Sequence, residues 1–112
     1  MPRPRKRRFV QGRPIVDAFS PNTTPPWGRE EVVLSIEGLE ALRLSDYQGL
    51  DQETAAGMMN VSRQTFGRLL AEARAIVADA LVTGKTLRIE GGHFEMPSGG
   101  RGRHRRGWGG RF

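Results

Sequence analysis

Residues 52–70, Gln52-Glu-Thr-Ala-Ala-Gly-Met-Met-Asn-Val-Ser-Arg-Gln-Thr-Phe-Gly-Arg-Leu-Leu70, constrain the fold more than any other part of the chain. Two helices that cross closely need a small residue at the crossing, and Ala56 stands there. Four residues on, a tight turn needs a residue that tolerates positive φ, and Asn60 is among the best substitutes for Gly. Val61 then points into the core, Ser62 offers an N-cap and Phe66 anchors the following helix. Four steric requirements met in one register predict a helix-turn-helix, whose second helix turns its first residues to solvent as entry into a major groove demands. The blander reading is an ordinary helical hairpin.

The flanking sequence completes a mainly α body. Ser35 can cap a first helix running through Asp46, with Ile36, Leu39 and Leu42 on one face, and Gly49 permits the turn to an N-cap at Asp51. Ala55, Ala56 and Met59 point inward from the second helix. The third carries Phe66, Leu69, Leu70, Ala73, Ile76, Val77, Ala80 and Leu81 in one stripe of helical period and stops at Gly84. Thr86-Leu-Arg-Ile-Glu90 and His93-Phe-Glu-Met96 flank Gly91-Gly92, which predicts a short C-terminal β-hairpin. An isolated hairpin is marginal in water, so it should pack on the helices, pair with the Phe9 segment or pair with a second subunit. The expected architecture is a three-helix body containing a helix-turn-helix, with that hairpin and flexible basic termini. Its domains are a basic, Pro-rich arm over 1–29, the helix-turn-helix domain with its hairpin over 30–96, and a Gly/Arg-rich tail over 97–112.

Charge divides along the same lines. Residues 1–29 carry a net +6, residues 30–95 a net −5 and residues 96–112 a net +5. Six of the seven prolines lie in the first segment, which should therefore run extended or irregular, with Phe19 and Trp27 pinning it to the body. The last 14 residues hold six glycines and five arginines, too little apolar material for a core. A mildly acidic body between two arginine-rich ends is the pattern of a polyanion binder, nucleic acid first. Arg outnumbers Lys 16 to 2, and the guanidinium fork suits phosphate oxygens and guanine edges.

Several chemistries drop out. The 112-residue chain has no cysteine, which removes disulfides, thiol nucleophiles and thiolate metal sites, and its two histidines, His93 and His104, are too few for an ordinary zinc site. No nucleophile stands beside a base, so no enzymatic activity, metal or cofactor is expected. Glu30, Glu31, Glu37 and Glu40 read as a solvated face near a helix start and not as an acid/base set. No run is long enough to span a membrane or act as a secretory signal, so a cytoplasmic location is expected.

For the nucleic-acid contacts, a rotation of about 100° per residue puts Arg63, Gln64, Gly67, Arg68, Ala71 and Ala75 away from the apolar stripe. Gln64 and Arg68 are one turn apart, and both can reach base edges, Gln reading adenine and Arg reading guanine. Arg63, Thr65 and the Ser62 backbone lie nearer the helix start and suit phosphate. Gly67 either lets the backbone sit deep in the groove or serves close packing within the protein. Arg3, Arg5, Lys6, Arg7 and Arg8, on a proline-stiffened arm, suit either a narrow minor groove or nonspecific phosphate contact.

Taken together, the opening Met1-Pro-Arg-Pro-Arg-Lys6, the blocks Glu40-Ala-Leu-Arg-Leu44 and Val61-Ser-Arg-Gln-Thr-Phe-Gly-Arg68, and the runs Val77-Ala-Asp-Ala-Leu-Val82 and Leu87-Arg-Ile-Glu-Gly-Gly92 resemble one family. It is an uncharacterised prokaryotic family of predicted DNA-binding proteins with a helix-turn-helix like that of sigma-factor region four. The resemblance covers residue 1 to about residue 96 and implies a small cytoplasmic transcriptional regulator. Many relatives carry cysteines after the N-terminal basic run and near the C-terminus, which suggests a metal or redox site there. Arg7 stands in the first such place here, and the chain has no cysteine, so the thiols that would carry such a role in those relatives are absent.

The expected function is sequence-specific binding of double-stranded DNA by a homodimer, because the long third helix and the hairpin offer more apolar surface than a small body covers alone. The alternatives are RNA or single-strand binding by the arginine-rich ends, or a sigma-like module that docks onto polymerase or another protein.

Overall fold

A computed structural model describes residues 7–23, 29–92 and 94–95. In chain order these form β1 (Arg8–Phe9), β2 (Ala18–Phe19), β3 (Glu31–Leu34), α1 (Ile36–Leu42), a π-helical turn over Arg43–Tyr47, α2 (Gln52–Met59), α3 (Arg63–Thr83), β4 (Thr86–Ile89) and β5 (Phe94–Glu95). Three helices dominate, as the spacing predicts. Residues 1–6, 24–28, 93 and 96–112, and with them Arg3, Arg5, Lys6, Trp27, His93 and the Gly/Arg-rich tail, lie outside the described residues.

Each helix begins where its cap residue sets it. Ser35 Oγ accepts from the Gly38 N–H at 3.0 Å, Asp51 Oδ1 from the Thr54 N–H at 2.7 Å and Ser62 Oγ from the Thr65 N–H at 3.0 Å, in each case satisfying an N–H that the helix cannot. Gly84, at φ +75°, ends α3 in the left-handed conformation. The first helical segment reaches Tyr47, one residue past the expected end, by widening into the π turn.

Two apolar clusters flank α3. Ala41, Leu44, Ala55, Ala56, Met59, Phe66 and Leu70 form the first, between α1, α2 and the start of α3. Val10, Leu34, Ile36, Ala73 and Ile89 form the second, where α1 and α3 meet the strands. As α3 passes from one to the other its buried face swings toward the sheet, with Ala80 still buried. Leu81, expected in the stripe, is therefore 78 % exposed and Val82 82 %.

The strands correct two expectations. Thr86–Ile89 and Phe94–Glu95 both form, but they do not make a hairpin with each other. β4 is the centre of a three-stranded sheet, antiparallel to β2 and parallel to β3, so both its edges are already occupied. β5 instead pairs in parallel with β1, Arg8 opposite Phe94, which is the Phe9 pairing weighed from the sequence. The N-terminal segment is accordingly not a free arm along its whole length: Val10 is fully buried in the second cluster, and two short strands on either side of it join the body.

Candidate nucleic-acid interface

The turn between α2 and α3 has the geometry its residues predict. Asn60 sits at φ 60°, ψ 44°, the sole non-glycine with positive φ among the described residues. Its asparagine side chain makes that conformation tolerable. The Val61 N–H reaches back to the Ala56 carbonyl at 3.0 Å, and Ala56 is 3 % exposed where the helices approach. A larger side chain there would force the helices apart. Phe66 and Leu70, 0 % and 2 % exposed, lock one side of α3. Fixing that side leaves Arg63, Gln64, Arg68, Ala71 and Ala75 exposed on the other.

The polar residues at the start of α3 divide by task. Ser62 Oγ donates to Thr65 Oγ1 at 3.0 Å while accepting the Thr65 N–H, so the two hydroxyls first serve the cap. Gln64 and Arg68 stand on the outward side one turn apart. Arg63 lies near the Asp51 carboxylate. The Thr54 backbone N–H chiefly holds that carboxyl below its ordinary value, the Thr54 hydroxyl and the Arg63 charge adding to the effect. Residues 51–70 carry Asp51 and Glu53 against Arg63 and Arg68, so the unit is neutral overall. It offers directional hydrogen-bonding groups without a strong field.

Gly67, half-buried in the second turn of α3, resolves one of the sequence's open alternatives. A Cβ built there meets the Gln52 Oε1 at 3.5 Å, an ordinary contact with the end of a flexible side chain, and no other non-local atom within 4 Å. Close packing inside the protein does not require the glycine. Gln52, first residue of α2, thus belongs to the same exposed surface, a neighbour that sequence reasoning missed. Its position directly after the Asp51 cap was the available signal.

The basic arm is placed differently from its expectation. Arg7 is exposed. Arg8 is not an exposed contact: its Nη1 donates to Glu37 Oε2 at 3.1 Å, with side chains only 13 % and 8 % exposed. Nor are Glu37 and Glu40 on a solvated face, being 6 % and 2 % exposed. The Arg43 guanidinium grips Glu40 with two hydrogen bonds, 2.9 Å from Nε and 2.7 Å from Nη2, and the Gln11 N–H donates to Glu40 Oε2 at 3.2 Å. Burying a carboxylate requires such partners, and the sequence places them too far away or on too ambiguous a face to foresee. Glu30 and Glu31 remain exposed as expected.

Residues 1–97 match the model of the family described as protein of unknown function DUF134, and the chain belongs to that family. Among curated proteins it is 50 % identical to a UPF0251 protein of Caldanaerobacter subterraneus, over 96 % of each chain. It is 51 % identical to a UPF0251 protein of Thermoanaerobacter pseudethanolicus, over 97 % of this chain and 98 % of that one. A UPF0251 protein of Desulforudis audaxviator is 52 % identical over 85 % of this chain and 62 % of its own length. No solved structure matches. Among the described residues no helix is long and apolar enough to cross a membrane.

Proposed function

We propose that this chain binds double-stranded DNA in a sequence-specific way through a helix-turn-helix formed by α2 and α3, and acts in the cytoplasm as a transcriptional regulator. The observation that carries this reading is the outward face of α3, where Arg63, Gln64 and Arg68 project within two turns of a helix start whose opposite side is locked by Phe66 and Leu70. A helix held this way enters a major groove N-terminus first, with Gln64 and Arg68 aimed at base edges and Arg63 at phosphate. Ala56, Asn60, Val61 and Phe66 meet the steric demands of a helix-turn-helix, which supports the same reading. Exposed Leu81 and Val82 at the far end of α3, with Val33 on β3, support a homodimer, which sets two such helices about 34 Å apart on an inverted repeat.

A second reading has one observation in its favour. The α2–α3 unit is neutral, so attraction to phosphate must come from the arginine-rich ends, and those would serve RNA or a single strand equally well.

Retention of fragmented genomic DNA at physiological salt separates the readings. A few enriched fragments sharing an inverted repeat support the regulator, uniform retention the tail-driven binder, and no retention a module that docks on polymerase or another protein. With an enriched fragment in hand, Arg68→Ala should weaken binding by about 1–3 kcal/mol and relax preference at one base pair. Equal weakening on every sequence counts against base reading.

A further inference from the structure

Among the described residues, the three most exposed large hydrophobic side chains are Val82, Leu81 and Tyr47. Arg74 ties the last two to one side of the molecule. Its guanidinium bonds to Asp46, the residue before Tyr47, at 2.6 Å from Nη2 and 3.1 Å from Nε. Leu81 follows Arg74 on α3 by two turns, which return to within about 20° of the same direction. Beside this line runs an open groove of about 450 Å³ lined by Leu39, Leu42, Arg43, Asp46 and Tyr47. Leu39 and Leu42 pack on the same cluster as Val77, one turn before Leu81. An exposed apolar knob and a largely apolar groove thus share one surface, formed by α1, its π turn and the second half of α3.

The charges around the groove select its occupant. Arg74 is paired with Asp46, and Arg43 with the buried Glu40. With these cations already paired, the groove offers a polyanion little attraction. A second copy of the same surface brings its own Leu81 to the groove. At the rim it sets an Asp46 near each Arg74 and an Arg74 near each Asp46, so neither copy buries an uncompensated charge. A two-fold axis makes both contacts at once, because it sets one surface patch against itself.

We propose that two copies of the chain meet on this face, Leu81 of each copy, with Val82 beside it, seated against Leu39, Leu42 and Tyr47 of the other; the interface so assigned rests on the homodimer of the proposed function. Val33 then lies outside it, because strand alternation turns Val33 away from Leu34 and the cluster that Leu34 shares with α3. Gln64 and Arg68 stand about 100–140° round α3 from Leu81 and stay open to a duplex. Arg68 lies about 20 Å along the helix from Leu81, so two such arms together can span the roughly 34 Å between half-sites.

Sedimentation of the full-length protein at physiological salt, over a concentration series up to its solubility limit, tests the assignment. The unmodified chain should be a dimer. Leu81→Asp places a charge against the groove and should raise the dissociation constant on the order of a hundredfold, and Tyr47→Ala about tenfold. Val33→Asp should leave it unchanged. All three positions are exposed, so circular dichroism should show each variant folded. The chain has no cysteine, which makes cross-linking of single-cysteine variants free of background. A mixture of Leu81→Cys and Tyr47→Cys proteins should be joined by a short bis-maleimide, and a mixture of Leu81→Cys and Val33→Cys proteins should not.

A chain that stays monomeric at every concentration overturns the inference, as does a dimer that survives Leu81→Asp or that only Val33→Asp dissociates. Should Leu81→Asp fail to fold, the cross-link decides: a joined Leu81→Cys and Tyr47→Cys pair supports the interface, and its absence overturns it. Duplex retention reads the proposed function separately. A dimer that Leu81→Asp splits but that retains no duplex keeps the interface and overturns the DNA reading. A monomer that selects single half-sites does the reverse.

Discussion

The two apolar clusters that share α3 are assembled from different kinds of neighbour. The one beneath α2 draws its buried residues from Ala41 to Leu70, joined by short turns whose cap and left-handed residues stand in the sequence itself. The one beneath the strands joins Val10 to Ile89 and needs both ends of the described chain in place. Closing long loops adds an entropic cost that grows slowly with their length, and the strand side meets it with the buried Arg8–Glu37 ion pair and the Gln11–Glu40 hydrogen bond as well as apolar contact. The difference implies a division of labour. The first turns of α3 are held by local packing, while the segment Arg8–Gln11 is fastened by a few buried polar groups.

The largest effect expected from this division lies at Arg43. Arg43→Ala leaves the Glu40 carboxylate, 2 % exposed, without its two guanidinium hydrogen bonds. Breaking one side of a buried pair typically destabilises by about 3–5 kcal/mol. The exposed Arg74–Asp46 pair, at 2.6 Å with side chains 54 % and 44 % exposed, is the contrast: Arg74→Ala should change stability little. Urea unfolding of the two variants measures both. Equal losses would mean that burial does not distinguish the polar contacts of the strand side from those of the surface.

That contrast also marks what the sequence makes legible. Helix positions, the Ser35, Asp51 and Ser62 caps, the Asn60 turn and the inward Ala55, Ala56 and Met59 follow from spacing and local backbone chemistry, which act over a few residues. The outward set Arg63, Gln64 and Arg68 follows from the same period. The buried role of Glu37 and Glu40 does not, because their spacing fits a solvated face equally well and their decisive partners include Arg8 and Gln11, 29 residues away. The β5 pairing escapes for a related reason. Gly91-Gly92 signals a turn, but nothing local announces that β4 has filled both its edges with β2 and β3. Exposure of Leu81 depends on the drift of the helix face toward the sheet, a tertiary effect with no local signature.

Two glycines, one on each side of α3, extend the comparison at intermediate magnitude. Gly92, at φ +109° with Glu37 Oε1 2.7 Å from an added Cβ, is required by the strand side. Gly92→Ala should destabilise by more than about 1 kcal/mol, from left-handed strain and the displaced carboxylate. Gly67 has ordinary helical φ and room for a methyl beside Gln52. Gly67→Ala should therefore stabilise the fold by about 0.5–1 kcal/mol, the usual gain over glycine in a helix. If a duplex approaches the backbone closely at that point, the same variant binds it less well. Thermal melts paired with a binding titration read both quantities, and a Gly67→Ala protein that is more stable and binds unchanged would remove Gly67 from the interface.

The smallest effects come from acid, and they should fall on both sides of α3 alike. On the strand side, Glu31 is held below its ordinary 4.5 by the hydrogen bond from Arg88, and Asp79 below 3.8 by that from Lys85. On the helix side, Asp46 is held below 3.8 by Arg74, and Asp51 below 3.8 by the Thr54 N–H that it caps. Each carboxyl has a lower pKa folded than unfolded, so in acid the unfolded chain binds more protons, and stability falls as the pH falls. The contribution of these groups is fully present above the ordinary values and is lost as the pH drops through the lowered ones. Melting temperature should therefore be insensitive to these four groups near neutrality and decline once the pH enters and passes below the carboxylate range. In Arg74→Ala the share carried by Asp46 disappears, so the decline becomes shallower while the other three contributions remain. An acid decline as steep in Arg74→Ala as in the unmodified protein would assign the sensitivity to other carboxyls and leave the Asp46 pair without a measurable part in joining α3 to the π turn.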